Sequence, residues 1–202
     1  SPDKIPNMLT DLIDKQIYAY NRMAQGISIF LTGPAGTGKT SCIRTFVDTY
    51  SDSRKIAITS TTGASALLLG GTTVHSYLGI GLGHGTAQVL AEKIVKSKWL
   101  LKKWVELDCL IIDEISMMPP DLFDKLEEMA RMIRSNKYPF GGIQLVLSGD
   151  MLQLPCVNSE KFCFEAKTWD ECIIETVYLT EIIRQGDVEF QNCLNNIRIG
   201  NL

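Results

Sequence analysis

The sequence predicts an α/β domain built on a mostly parallel sheet with helices on both faces. Short apolar runs alternate with longer amphipathic stretches, a strand–helix–strand rhythm that closes into a parallel sheet. The runs are compact and apolar throughout, as in strands covered on both sides. At 202 residues the chain is about one domain long and can bury most of its apolar surface without staples.

The elements follow in order. Ile27 to Leu31 reads as a strand, and a glycine-rich turn follows it. Ser41 to Tyr50 reads as a helix and Lys55 to Thr59 as a second strand. Leu107 to Ile112 and Ile143 to Leu147 are the third and fourth strands. Between them, Leu122, Phe123, Leu126, Met129, Ala130 and Ile133 fall on one helical face, while Glu127, Glu128, Arg131 and Arg134 are expected to face water. Asp121, just after Pro119 and Pro120, suits the first turn of that helix. Gly70 to Gly85 breaks the rhythm with six glycines and reads as a long functional or mobile loop. There is no internal repeat, low-complexity tract or linker, so residues 1–202 are expected to form a single domain, with Ser1-Pro2 fitting a cut or processed end.

Composition narrows the function. The chain is 45% hydrophobic and 21% charged, ordinary for a globular protein. No apolar run approaches the ~18 residues of a membrane helix, and the first thirty residues lack the order of a signal peptide. The net charge of −3 argues against binding nucleic acid through bulk positive charge. The charge is uneven: from Met151 onward there are eight acidic and four basic residues, which leaves 15 acidic and 16 basic before it. The densest basic run holds Lys93, Lys96, Lys98, Lys102 and Lys103, a solvated helix face or a phosphate contact surface. Six cysteines include no CxxC pair, and only His75 and His84 could join a metal site, so zinc spacing is absent. Cys109 lies in an apolar run and reads as a buried small hydrophobe; reduced thiols fit an intracellular protein, nuclear or cytoplasmic.

Gly33-Pro34-Ala35-Gly36-Thr37-Gly38-Lys39-Thr40 fits G-x-x-x-x-G-K-[ST] at every position, after a predicted strand and before a predicted helix. The glycines let backbone N–H groups turn inward around phosphate oxygens, and the helix N-terminus adds partial positive charge. These eight residues and Ser41 are the candidate nucleotide-binding residues. Lys39 is placed to reach the β- and γ-phosphates of ATP, and the Thr40 hydroxyl to bind Mg²⁺. The plainer alternative is a glycine-rich turn before a helix.

Leu110-Ile111-Ile112-Asp113-Glu114 is an apolar strand ending in two carboxylates. A parallel strand delivers its last residues to the carboxyl edge, where ligands bind in open α/β folds. Asp113 is then placed to hold Mg²⁺, and Glu114 to orient or deprotonate an attacking water. The alternative is an acidic pair at a helix start. Ser148-Gly149-Asp150 follows the fourth strand to the same edge, and Gln153 just beyond it is a candidate γ-phosphate sensor.

Together these residues resemble the first RecA-like domain of a superfamily 1B DNA helicase of the PIF family. The most specific piece is Asp124-Lys125-Leu126, Ala130-Arg131, Arg134 and Pro139-Phe140-Gly141-Gly142-Ile143-Gln144, similar to that family's signature segment. Thr59 to Ala66 and Gly70 to Ser76 resemble its first DNA-contacting motif, Asp113 to Met117 its metal motif, and Gly149 to Pro155 its phosphate-sensing motif. Leu179 to Gly200 resembles the segment that closes the first domain, and Gln16 the adenine-reading glutamine. Met151 and Cys156 depart from the family pattern, as in divergent members from viruses or mobile elements.

The resemblance implies an ATP-binding and hydrolysing motor of a 5′-to-3′ helicase that moves on single-stranded DNA and opens forked or tailed duplex. It implies catalytic roles for Lys39, Glu114, Gln153 and Arg184, with Arg184 at the γ-phosphate. It sets Ser60, Thr61, Thr73 and His75 against single-stranded DNA, through hydroxyls and nearby N–H groups that need no net positive charge. It also implies a second RecA-like domain of the same protein as partner; the 202-residue piece is expected to be monomeric and inactive in unwinding. The rival readings are another P-loop enzyme, such as a small-molecule kinase, and a non-catalytic binding module.

Overall fold

The computed structural model describes residues 4–152 and 161–179, with residues 4–12 and Leu68 described by their backbone alone. Helix α1 (Lys4–Ala24) leads into β1 (Ile29–Thr32), α2 (Lys39–Tyr50) and β2 (Ile56–Ser60). Then come α3 (Gly63–Leu69), β3 (Thr72–Thr73), α4 (Val74–Leu78), α5 (Ala87–Lys96) and α6 (Lys98–Glu106). The chain continues through β4 (Cys109–Asp113), α7 (Pro120–Ile133), β5 (Gln144–Gly149), α8 (Trp169–Cys172) and β6 (Glu175–Tyr178). The described strands form one six-stranded sheet in the order β3-β2-β4-β5-β1-β6, with every neighbouring pair parallel.

The apolar character of the strands has the expected cause. Along β4, Cys109 and Ile111 face a core built with Ala19 and Met23 of α1 and Ile43 and Phe46 of α2. Leu110 and Ile112 face the opposite core, with Leu90 and Ile94 of α5 and Leu126 and Met129 of α7. Both faces are buried, so period-two alternation of polarity disappears and only a continuous apolar run remains. Each fully buried Leu or Ile contributes about 1.5–3 kcal/mol. Among the described residues no helix is long and apolar enough to cross a membrane.

Two expectations need correction. Gly70 to Gly85 is not one long loop: it holds β3 and α4. Gly70 and Gly79 end α3 and α4 in left-handed backbone, so these glycines are helix stops. Gly71 passes so close to β2 that a Cβ would lie 2.1 Å from the Ile58 carbonyl oxygen. The second correction concerns α7. Glu127 does not face water but is 3% exposed. Its carboxylate accepts two bonds from Arg131 Nε at 2.8 and 3.0 Å, one from Arg131 Nη2 at 2.9 Å and one from the Phe140 N–H at 3.0 Å. Arg134 is likewise half-buried, donating to the carbonyls of Gly141, Trp104, Val105 and Leu107 at 2.6–3.0 Å.

The basic run spans α5 and α6. Lys93, Lys96, Lys98 and Lys102 are exposed, while the Lys103 ammonium lies 4.0 Å from the Trp99 ring and 4.4 Å from the Tyr77 ring. Cys42, Cys109, Cys163 and Cys172 are buried free thiols. Burial pushes the Cys42 thiol up to about 12, so it is neutral and inert at neutral pH. Cys156 and Cys193 lie outside the described residues.

Candidate functional site

A parallel sheet brings the C-terminal ends of its strands to one edge. Here that edge carries Thr32 of β1 with Gly33 just after it, Ser60 of β2, Thr73 of β3, Asp113 of β4 and Gly149 of β5. The candidate phosphate loop, Gly33 to Gly38, crosses it and opens α2.

Gly33 is gripped between two strands. Its N–H donates to the Gly149 carbonyl at 3.2 Å, and a Cβ on it would lie 2.0 Å from the Leu179 carbonyl oxygen. Gly36 and Gly38 hold left-handed backbone, at φ 82° and 85°, which turns the loop into the first turn of α2. The buried Thr37 hydroxyl donates to the Pro34 carbonyl at 2.8 Å and closes the loop on itself. From below, Gln16 of α1 donates from Nε2 to the Thr37 carbonyl at 2.8 Å. The Lys39 ammonium lies across the loop, donating to the carbonyls of Gly33 and, at 3.1 Å, Pro34. Burial pushes its amine below the ordinary lysine range, while Asp150 and Asp113 pull it back up. Pro34 and Ser41 are partly buried, and Ala35 and Thr40 are exposed.

The two carboxylates at the end of β4 are fixed separately. Asp113 accepts from Ser148 Oγ at 2.7 Å and the Glu114 N–H at 2.9 Å on Oδ1, and from Ser65 Oγ at 3.0 Å on Oδ2. Glu114 has left-handed backbone (φ 53°, ψ 44°), at a cost of order 1 kcal/mol for a non-glycine residue. Its carbonyl accepts from Thr61 Oγ1 at 2.8 Å, and its Oε2 from Thr62 Oγ1 at 3.0 Å.

The candidate DNA-contacting residues divide. Ser60 is fully buried, and its hydroxyl donates to the Asp113 carbonyl at 3.3 Å. The Ser60 and Thr61 hydroxyls therefore tie β2 to the end of β4 and do not point out to a ligand. Thr73 caps α4, accepting from the Ser76 N–H at 3.2 Å. His75 is half-buried, and burial holds its imidazole below the ordinary range, so it is neutral at pH 7. Gln153 and Arg184 lie outside the described residues. Sequence reasoning missed Thr62, Ser65 and Ser148 as the hydroxyls that hold the carboxylates. Strand order would have flagged Ser148, since the Ile112–Leu147 register extends to Asp113 beside Ser148.

Mg²⁺ binds a few protein oxygens together with water and substrate phosphate. The donor set fits it. Three of about four acceptor sites on the Asp113 carboxylate are used by hydrogen bonds, which orients the group and leaves a site for the ion or one of its waters. The exposed Thr40 hydroxyl in the first turn of α2 is a second oxygen that could serve such an ion.

The sequence matches the PIF1-like helicase family over residues 10–202. It is 50% identical over 204 residues to protein 030L of Invertebrate iridescent virus 6, covering 93% of this chain and 38% of that protein. It is 47% identical over 184 residues to the ATP-dependent DNA helicase RRM3 of Saccharomyces cerevisiae, covering 87% of this chain and 25% of that protein. The crystal structure of the Pif1 helicase from Candida albicans superposes with a TM-score of 0.81 at 44% identity, over 91% of this chain and 43% of that one. The chain thus spans between a quarter and two-fifths of these curated relatives' length.

Proposed function

The chain belongs to the PIF1-like helicase family, and from that membership we propose that it is the ATP-binding and hydrolysing motor domain of a 5′-to-3′ DNA helicase. In this reading it is the first of two RecA-like domains, with ATP held between them, and single-stranded and forked DNA are its substrates. It acts wherever that DNA resides. The observation that supports the reading is that the Gly33–Gly38 loop, leading into Lys39, crosses the sheet edge at which β4 ends in Asp113. A phosphate loop and a strand-end carboxylate at one edge are the parts that phosphoryl transfer requires.

Each residue then has a task. Backbone N–H groups of the Gly33–Thr40 loop cradle the phosphates, and Lys39 neutralises charge at the β- and γ-phosphates. Thr40 and Asp113 would hold Mg²⁺, which would supply further neutralisation of the phosphate oxygens. Glu114 orients the attacking water and accepts its proton. Gln153 and Arg184 sense the γ-phosphate. The second domain supplies an arginine finger, a group worth about 10³–10⁵ in rate elsewhere. The 202-residue chain alone therefore binds nucleotide weakly, hydrolyses it slowly and does not unwind DNA.

Calorimetry of Mg·ATP binding tests this. Binding is expected with the wild-type chain and not with Lys39→Ala, and in the full-length protein Glu114→Gln keeps binding but loses most turnover. Binding that ignores Lys39 would remove the phosphate-loop assignment. Phosphoryl transfer to a small acceptor, independent of DNA, would favour a kinase.

A further inference from the structure

The two oxygens of the Asp113 carboxylate are in unequal states. Oδ1 accepts from Ser148 Oγ at 2.7 Å and from the Glu114 N–H at 2.9 Å. Oδ2 accepts, among the described residues, from Ser65 Oγ alone, at 3.0 Å. A carboxylate offers about four lone-pair sites, two on each oxygen. Oδ1 is therefore filled, and Oδ2 keeps one site open.

Ser148 is the group that closes Oδ1, since the Glu114 N–H by itself would leave a lone pair there. It lies in β5 opposite Leu31 of β1, and on its other side the Ile112–Leu147 register carries on to Asp113. Ser148 is 1% exposed, so water does not compete for its hydroxyl proton. The residues after it tie the strand end to β1 and the phosphate loop. The Gly149 carbonyl accepts from the Gly33 N–H at 3.2 Å, and the Met151 N–H donates to Thr32 Oγ1 at 3.2 Å. The hydroxyl thus reaches Asp113 from a strand end that is held in place.

Hard cations differ in what they ask of such a carboxylate. Mg²⁺ demands near-octahedral geometry, keeps several of its waters and draws on few protein oxygens. Ca²⁺ takes about six to eight oxygens and often both oxygens of one carboxylate. A carboxylate with one open site suits the first ion and cannot grip the second with both oxygens.

We propose that Ser148 is a positioning residue that selects the metal: by filling Asp113 Oδ1 it limits the carboxylate to one-oxygen contact with the ion or its water, and so favours Mg²⁺ over Ca²⁺ beside the nucleotide. The inference rests on the nucleotide reading above. It adds which side chain sets the ion's identity, and that side chain belongs to neither the phosphate loop nor the carboxylate pair.

Calorimetry of ATP binding to the chain, in excess Mg²⁺ and again in excess Ca²⁺, gives the ion preference as a ratio of two affinities. Wild type is expected to bind more tightly with Mg²⁺. Ser148→Ala opens a lone pair on Oδ1 and is expected to shift the ratio towards Ca²⁺ by about fivefold, the worth of one hydrogen bond. Ser148→Cys, of similar size but with a weaker donor, shifts it the same way by less. A merely structural role for Ser148 would lower both affinities together and leave their ratio alone. A Ser148→Ala ratio equal to that of wild type would therefore overturn the proposal, as would a wild-type chain with no preference for Mg²⁺. Should Ser148→Ala fail to fold, the same ratio in Ser148→Cys decides. A wild-type chain that binds ATP with neither ion would mark the nucleotide reading itself as wrong, and the inference would fall with it.

Discussion

Gln16 shows how one side chain can carry two distinguishable roles. The family resemblance implies that it reads adenine. The geometry gives its amide a structural task, donation from a 3% exposed side chain to the Thr37 carbonyl in the middle of the phosphate loop. That bond fixes the loop's shape whatever base the nucleotide carries. Removing one partner of a buried hydrogen bond costs about 1 kcal/mol, and more where the remaining carbonyl stays dry. Gln16→Ala is therefore expected to weaken Mg·ATP and Mg·GTP binding alike, each by about fivefold. Competition binding with the two nucleotides checks this. A loss confined to ATP would assign Gln16 to the base and reduce the loop contact to a secondary role.

At the scale of elements, the segment most specific to the family is a clamp. Asp124 accepts from the N–H groups of Lys167 and Thr168, Lys125 donates to the Gly83 carbonyl, and Gln144 donates to the carbonyls of Met23 and Ile27, all at 2.8–3.0 Å. Arg134 gathers four carbonyls from the end of α6 and the Pro-Phe-Gly-Gly turn. Arg134→Met would leave those carbonyls without their charged donor and is expected to cost about 3 kcal/mol. Urea denaturation measures it, and a loss below about 1 kcal/mol would show that water replaces the guanidinium. The sequence made the apolar stripe of α7 legible, because its spacing is helical. It hid Glu127, which lies on that stripe four residues after Phe123 but reads as exposed because glutamate usually is. Its partner, the Phe140 N–H, lies across a turn that helical spacing does not describe. In the same way β3 and α4 were hidden by their own stop signals, Gly70 and Gly79, which punctuate helices as well as loops. The placement of the Gly33–Thr40 loop and of the Asp113–Glu114 pair at strand ends was legible because local order alone specifies it. Thr62, Ser65 and Ser148 were not, since their task arises only when β2, β4 and β5 lie side by side.

For the whole molecule, the distribution of charge separates two ways of holding DNA. The chain carries a net charge of −3, and the Ser60–His75 segment contains no lysine or arginine. Its one titratable base, His75, is held neutral at pH 7 by burial. With the Ser60 and Thr61 hydroxyls turned onto β4 and its end, contacts from that segment would fall to N–H groups, which position a phosphate without releasing its counterions. Each phosphate neutralised on a single strand contributes about 0.7 to the slope of log affinity against log salt. The oligothymidylate affinity of this chain is therefore expected to fall with a slope no steeper than about −1.5, two phosphates' worth. Fluorescence anisotropy across a salt series measures it. A slope of about −3 or steeper would need four or more cations. Lys93, Lys96, Lys98 and Lys102 on the exposed face of α5 and α6 are the group dense enough to supply them. Paired Lys98→Glu and Lys102→Glu substitutions then decide where the strand lies. Affinity unchanged by them keeps DNA on the segment that ends at His75, the contact the family resemblance implies. Affinity abolished by them would put the strand on the lysine face of α5 and α6, a surface with no described bond to Asp113 or Glu114.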